Sequence, residues 1–335
     1  MDSHATSINL LSRLNFIPSI NYKNDGVLSP AIHGFESVDS KIKYQLIHYY
    51  DSTSFIICED NYEKLKSTDK IVIRAKLENF DDLEKILLAK NAIDNLYKEF
   101  KIDVKVVLYL SYIVGNGIEF NKIGSKQLNI LVNILNDQNF YKIYVYEPYD
   151  IDYLNKLTNI DFDVYPNKKW CKTSMIQNFS NIIQKYDTDT CVVFAYKKLY
   201  DQYMPLIKII NNNINDFCYA DILTNTALLI GDNIDFAKKF VIIDSGIYSG
   251  ISLNKIIKSI KKLYGNDVSI DVITAHMDVF SICTNTEFIN KILDSFINKI
   301  LDSVNVIYCT KNNSDDFENC FIDVRKKFAL VESIY

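Results

Sequence analysis

Hydrophobic and polar positions in this chain follow two periods, and the switches between them outline its elements. Residues 1–12 carry no clear pattern. From Ile42 onward, IKYQLIHYY and SFIIC (54–58) read as strands, and IVIRAKL (71–77) as a third. Asn79–Asp82 then caps a helix whose apolar positions Leu83, Ile86, Leu87, Ala92, Ile93 and Leu96 follow a 3.6-residue period. VKVVLYL (104–110) is a nearly continuous apolar run, as expected of a strand covered on both faces. A loop (SYIVGNGIEFNKIG), a helix at 124–137 and the strand KIYVYEP (142–148), ended by Pro148, follow. The segment NIDFDVYPNKKWCK (159–172) reads as a linker.

The second half repeats this rhythm. The spacing predicts a helix at 171–186, a strand at 191–196, a helix at 197–213, a strand near 218–223 and a polar segment up to Lys239. Four strand-type residues, Phe240 to Ile243, are cut off by Asp244. A loop with two of the nine glycines, Gly246 and Gly250, and the serines Ser245, Ser249 and Ser252 leads into helical spacing at Leu253, Ile256, Ile257, Ile260 and Leu263. Strands at 268–277 and 304–310 and helices near 285–302 and 319–333 complete the pattern. Strands alternating with helices predict parallel sheets built from βαβ units, in two α/β domains, 1–160 and 161–335.

Strand, Gly/Ser loop and helix form the arrangement in which backbone N–H groups and a helix N-terminus converge on an anion, typically a phosphate. Ser252 reads as the N-cap of that helix. Lys197 and Lys198 follow a strand end, the place where parallel sheets bind ligands.

Composition narrows the function classes. The net charge of −5, with lysines spread among acids, argues against a nucleic-acid binder. No run approaches the 18 or so apolar residues of a membrane helix and the start lacks a secretory pattern, so a cytoplasmic protein is expected. The seven cysteines lack CxxC spacing and several lie in apolar runs, so they read as buried free thiols rather than a zinc site. Abundant Ile, Asn, Lys and Tyr with few Gly and Pro points to an AT-rich coding genome.

Phe240–Gly250, ITAHMDVFS (273–281) and VNVIYCTKN (304–312) together resemble ribose-phosphate pyrophosphokinase (PRPP synthetase). That family's second domain has a strand ending in two acids, a D-T-G/C-G-T phosphate loop, a T-H-G-x-F strand end and a late V-V-T-N strand. In the first half, LYLSYIVGNG (108–117) is similar to its P-Y-x-P-Y-x-R-Q-D-R motif, keeping Tyr109 and Tyr112, and YVYEPYD (144–150) to its D-P-H strand end. The resemblance spans nearly the whole chain. It implies two tandem phosphoribosyltransferase-like (Rossmann-like, mostly parallel-sheet) domains related by a pseudo-twofold axis. It also implies Mg²⁺-dependent transfer of pyrophosphate from ATP to ribose 5-phosphate, and a homo-oligomer.

Carried over residue by residue, the sugar-phosphate set is Asp244, Ser245, Ser249, Gly250 and Ser252, with Asp244 also the candidate metal ligand. Ser245 stands where the family has its second acid, Tyr248 replaces the loop's leading acid, and Ile251 occupies a glycine position. The nucleotide-side candidates are Tyr109, Tyr112, Asn116, Glu147, Tyr149, Asp150 and His276. Here the family's charged and metal-binding groups are replaced: Val114, Asn116 and Gly117 stand for Arg, Asp and Arg, and Tyr149 for the metal-binding His. Phosphoryl-type transfer depends on such charge neutralisation, and losing one group typically costs about 10²-fold or more. The expectation is a PRPP synthetase-like protein that binds nucleotide or ribose-phosphate ligands, or an active homologue in a hetero-oligomer, with reduced or no diphosphokinase activity. Two alternatives stand beside it. One is an active, diverged diphosphokinase using ATP with ribose 5-phosphate or ADP-ribose, and the other a viral or mobile-element interaction protein reusing the fold.

Overall fold

The computed structural model describes residues 5–9, 42, 44–48, 52–68, 70–113, 127–148, 151–158, 169–223, 226–231, 237–247, 250–277, 300, 303–310 and 328–331. The chain divides into two compact units, one up to Thr173 and the other from Ser174 to Ser333.

The first unit holds a five-stranded sheet and a two-stranded hairpin. Its strands are β1 (Ala5–Asn9), the hairpin β2 (Tyr44–His48) and β3 (Thr53–Ile57), β4 (Lys70–Leu77), β5 (Lys105–Ile113), β6 (Lys142–Tyr146) and β7 (Trp170–Thr173). Its helices are α1 (Tyr62–Lys66), α2 (Phe80–Phe100), α3 (Gln127–Asp137) and α4 (Ile151–Thr158). The larger sheet runs β1-β4-β5-β6-β7, every neighbour parallel. One alternating set of strand residues (Ile71, Ile73, Ala75; Val106, Leu108, Leu110; Ile143, Val145; Trp170) packs in one core with α2, α3, Leu154 of α4 and the hairpin. The intervening set, including Val72, Val107, Tyr109 and Tyr146, is buried as well, so the continuous apolar run of β5 reflects burial on both faces.

Helix α2 forms where its period and cap agree. Asn79 accepts the N–H of Asp82 at 3.0 Å, and the Asp82 carboxylate accepts the N–H of Glu78 at 2.9 Å, a reciprocal cap. Leu83, Ile86, Ala89, Ile93 and Leu96 form its buried stripe, and Tyr97 fixes its far end by donating to the carbonyl of Leu65 at 2.6 Å. Ile86 is fully buried, so Ile86→Ala would cost about 2–5 kcal/mol.

The second unit contains β8 (Thr190–Phe194), β9 (Asp216–Ile222), β10 (Ala227–Gly231), β11 (Lys239–Ile247), β12 (Ser269–Met277), β13 (Val306–Thr310) and β14 (Phe328–Val331), with helices α5 (Ser180–Ile183), α6 (Lys197–Ile210) and α7 (Ile251–Tyr264). The sheet order is β10-β9-β8-β11-β12-β13-β14, antiparallel only between β9 and β10. Helix α7 packs Leu253, Ile256, Ile257 and Ile260 against Cys191, Val193, Phe240, Ile242, Ile270 and Val272. Helix α6 lies on the other face, where Tyr200 meets Phe194 and Tyr219 with ring centroids 5.5 and 5.6 Å apart and Lys208 lies over Phe217. Crossovers stepping outward in opposite directions from the centre place these helices on opposite faces.

Several sequence expectations are corrected. The patternless start contains β1, a short edge strand. Of the expected linker at 159–172, the described end, Lys169 to Lys172, runs into β7. The predicted helix at 171–186 is instead the end of β7, a 3-10 turn at Met175–Gln177 capped by Ser174, and the single turn α5. The polar segment before Lys239 contains β10, and part of the predicted last helix is β14, which pairs in parallel with β13. Apolar runs of four or five residues do not distinguish strand from helix by period, and pairing with a distant strand decides. No helix of the described residues is long and apolar enough to cross a membrane.

Candidate functional site

In the second unit the chain steps from β8 to β9 in one direction, then returns to place β11 on the other side of β8 and continues outward through β12 to β14. The carboxyl ends of β8 and β11 are therefore a topological switch point, where open α/β sheets leave a crevice for ligands. The two strand ends are tied together there. Ala195 donates its N–H to the carbonyl of Ile243 at 2.9 Å, and the Tyr196 and Ser245 hydroxyls are 2.9 Å apart.

The Gly/Ser segment emerges at this point. Strand β11 runs past the expected break at Asp244 to Ile247, with Asp244 opposite Thr274 and Gly246 opposite His276 on β12. Asp244 and Ser245 are thus strand-end residues, 7% and 1% exposed. Oδ1 of Asp244 accepts the N–H of Gly246 over a long 3.4 Å. Burial pushes the Asp244 carboxyl up to about 7, opposed by the backbone N–H groups of Gly246 and Ser245. Near neutrality this side chain is poised to offer either a carboxylate or a hydroxyl.

Gly250 supplies the turn into α7. Its φ is +69°, in the left-handed region, and a Cβ there would come 2.7 Å from Cδ1 of Ile300. Gly250, and not Ser252, is the N-cap: its carbonyl accepts the N–H of Asn254 at 2.9 Å, and Ser252 is an exposed second residue of the helix. Ile251, where the family resemblance has glycine, adopts helical backbone, so no positive φ is imposed on a β-branched residue. Gly250 has no side chain with which to cap this 14-residue helix, and its first turn carries no acid, so its N-terminal dipole is suited to an anion. Ser249 lies outside the described residues.

His276 is 5% exposed and its carbonyl accepts the Thr274 hydroxyl at 2.9 Å. Its register beside Gly246 places it next to the Asp244 segment. Lys197 is exposed and engaged with Asp201 one turn on, at 2.9 Å, so its charge is already balanced. Among the described residues, no three His, Cys, Asp or Glu side chains stand together as a metal set.

The nucleotide-side candidates of the first unit are less concentrated. Tyr109 lies in mid-strand, 1% exposed, between Arg74 and Tyr144 in register. Buried Arg74 lies over the Tyr109 ring at 5.3 Å; desolvation pulls its pKa down and the tyrosine raises it. Tyr109 is therefore part of the packing. Tyr112 is half-buried near the end of β5, under Nζ of Lys76 at 5.9 Å. Glu147, just after β6, is 2% exposed with φ +40° and donates its N–H to Thr173 at 2.9 Å. A non-glycine residue held in the left-handed region is a form of strain found most often at functional sites. Asn116, Tyr149 and Asp150 lie outside the described residues.

Sequence reasoning missed Tyr196 and Thr274. Tyr196 closes the apolar run CVVFAY and gives no local signal, because its role depends on β8 lying beside β11.

No protein-family model matches the sequence, and no curated protein matches it. Among solved structures, phosphoribosylpyrophosphate synthetase from Mycobacterium smegmatis superposes with a TM-score of 0.63 at 8% identity, covering 88% of this chain and 87% of that one. At that identity the likeness is one of fold: this chain has the mixed α/β architecture of two phosphoribosyltransferase-like domains seen in PRPP synthetase.

Proposed function

We propose that this chain binds a ribose phosphate of the ribose 5-phosphate type at the switch point of its second unit, and that its diphosphokinase activity is reduced or lost. The observation that carries this reading is the junction of β11 and α7. A buried acid at the strand end and a left-handed glycine that opens an acid-free helix N-terminus occur within seven residues at a switch point. The helix N-terminus and exposed Ser252 suit the phosphate, and Asp244 suits the sugar hydroxyls. Mg²⁺ commonly binds through one or two carboxylates plus substrate phosphates, so Asp244 is the residue that would hold an ion arriving with such a ligand. The loss of activity rests on sequence: Val114, Asn116 and Gly117 supply no charge where the resembled motif has Arg, Asp and Arg. ATP as a ligand, assembly with itself or with an active homologue, and a cytoplasmic location belong to the same proposal.

Titration calorimetry with ribose 5-phosphate, PRPP and ATP tests binding, and chromatography of AMP released from ATP and Mg²⁺ tests catalysis with ribose 5-phosphate or ADP-ribose. Binding of a ribose phosphate, weakened by Asp244→Ala, with little AMP release is the expected result. Robust turnover abolished by Asp244→Ala would establish an active diphosphokinase instead. Binding of none of the three would overturn the phosphate cradle.

A further inference from the structure

Helix α7 carries a second feature along its length, away from the Gly250 turn. Asn254, Ile257, Lys258, Lys261 and Lys262 follow one helical stripe, and together with Asn266 and Ser303 they line a cavity of about 530 Å³. That volume lies within the range of roughly 300–1,000 Å³ typical of small-molecule sites. One observation distinguishes the stripe from an ordinary solvated helix face. Lys258, Lys261 and Lys262 form no ion pair with any described residue, although like charges three and four residues apart destabilise a helix and the chain as a whole is acidic. Asn254, 4% exposed, also lines the cavity. Lys261 and Lys262 lie in the last turn, where cations complement the helix dipole, but Lys258 and Asn254 stand one and two turns earlier, beyond that effect.

We infer that this cavity is a second ligand site, taking a small polyanion that bears two or more phosphate groups. Three ammonium groups act as point charges on phosphate oxygens, and Asn254, Asn266 and Ser303 supply neutral hydrogen-bonding groups. None of the described residues lining the cavity is aromatic, which favours a compact oligophosphate over a stacked nucleic-acid strand.

The test is calorimetry of the full chain with inorganic tripolyphosphate. The wild type binds it, and Lys258→Gln/Lys261→Gln/Lys262→Gln binds it at least about 100-fold more weakly, on the basis of about tenfold per charge-assisted contact. Asn254→Leu, which leaves the lysines in place, also weakens it, while its melting temperature shows that the fold is kept. Ribose 5-phosphate binding is unchanged in the lysine variant, and tripolyphosphate binding is unchanged in Asp244→Asn, which separates this site from the loop. Equal tripolyphosphate affinity in wild type and lysine variant, or none in either, would overturn the inference. So would binding of a single-stranded oligonucleotide or an anionic vesicle through these lysines that tripolyphosphate does not displace.

Discussion

Asp244→Asn is the most informative single change in this protein, because it separates the energetic burden of the strand-end acid from its use. The carboxyl is 7% exposed, its hydrogen bond from the Gly246 N–H is long at 3.4 Å, and burial holds its pKa at about 7 against an ordinary 3.8. A pKa raised on folding means that the native state holds the proton more tightly than the unfolded chain. Stability from this group is therefore complete below about pH 4, is lost as pH rises toward 7, and stays lost above. The gap between 3.8 and about 7, at about 1.4 kcal/mol per pKa unit, corresponds to about 4 kcal/mol. Asparagine keeps an oxygen for the Gly246 N–H and does not ionise. The variant should match the wild type near pH 4 and exceed it by about 4 kcal/mol at pH 8, or about 10 °C in melting temperature for a unit of this size. The single tryptophan, Trp170, lies in the first unit, so its fluorescence reports the wrong transition. Urea unfolding followed by circular dichroism at pH 5, 6, 7 and 8 is the appropriate assay. A stability gap that does not change with pH, or that favours the wild type as pH rises, refutes the reasoning. Weaker ribose 5-phosphate binding by a variant that is more stable would show that the buried acid is retained for its ligand.

Other changes address separate links. Gly250→Ala forces an alanine to φ +69° and should cost about 1–2 kcal/mol in thermal melts, whereas Gly250→Asn should cost less, because asparagine tolerates that region. Tyr196→Phe removes the partner of the 1% exposed Ser245 hydroxyl and should cost about 1–3 kcal/mol in the second unit's unfolding transition, leaving the Trp170 signal of the first unit unmoved. Asn79→Ala deletes the cap of α2 and should lower the first unit's stability by about 1 kcal/mol, read by tryptophan fluorescence. Among the described cysteines, half-buried Cys58 should react first with a thiol reagent. Cys191, Cys218 and Cys309, the last with its thiol pushed up to about 12, should react only after unfolding in urea.

Long elements with an unambiguous period were legible in the sequence. The cap and stripe of α2 and the both-sides-buried β5 are specified by neighbours in sequence and appear where the pattern placed them, and the strand-to-helix order of β11 and α7 does too, although β11 runs on past Asp244 to Ile247. Strands β1, β7, β10 and β14 were not legible, since each is four or five residues long and is held by a partner strand distant in the chain or, for β10, by a hairpin return. Even within the site the division holds. Gly250 could be anticipated from the loop's composition, but the choice of Gly250 over Ser252 as cap depended on where the left-handed residue falls.

Strand order explains why the two halves of the chain carry functional information so unequally. In the first unit the described strands of the larger sheet follow one another in chain order, so each parallel crossover steps the same way and α2, α3 and α4 pack in one core. No reversal among these strands opens a crevice at their carboxyl ends, where Glu147 is held at φ +40°. In the second unit the reversal between β8 and β11 separates α6 from α7 and brings Tyr196 to Ser245 beside Asp244. A ligand that needs a crevice, a helix N-terminus and a buried acid at once finds all three at that reversal. The same half keeps the hydroxyls and acid of the resembled phosphate loop, while the first half has replaced its charged residues with Val114, Asn116 and Gly117. Geometry and composition therefore support the same proposal, that a sugar phosphate is recognised in the second unit, and the uncharged Val114, Asn116 and Gly117 are the reason pyrophosphate transfer is proposed to be reduced or lost.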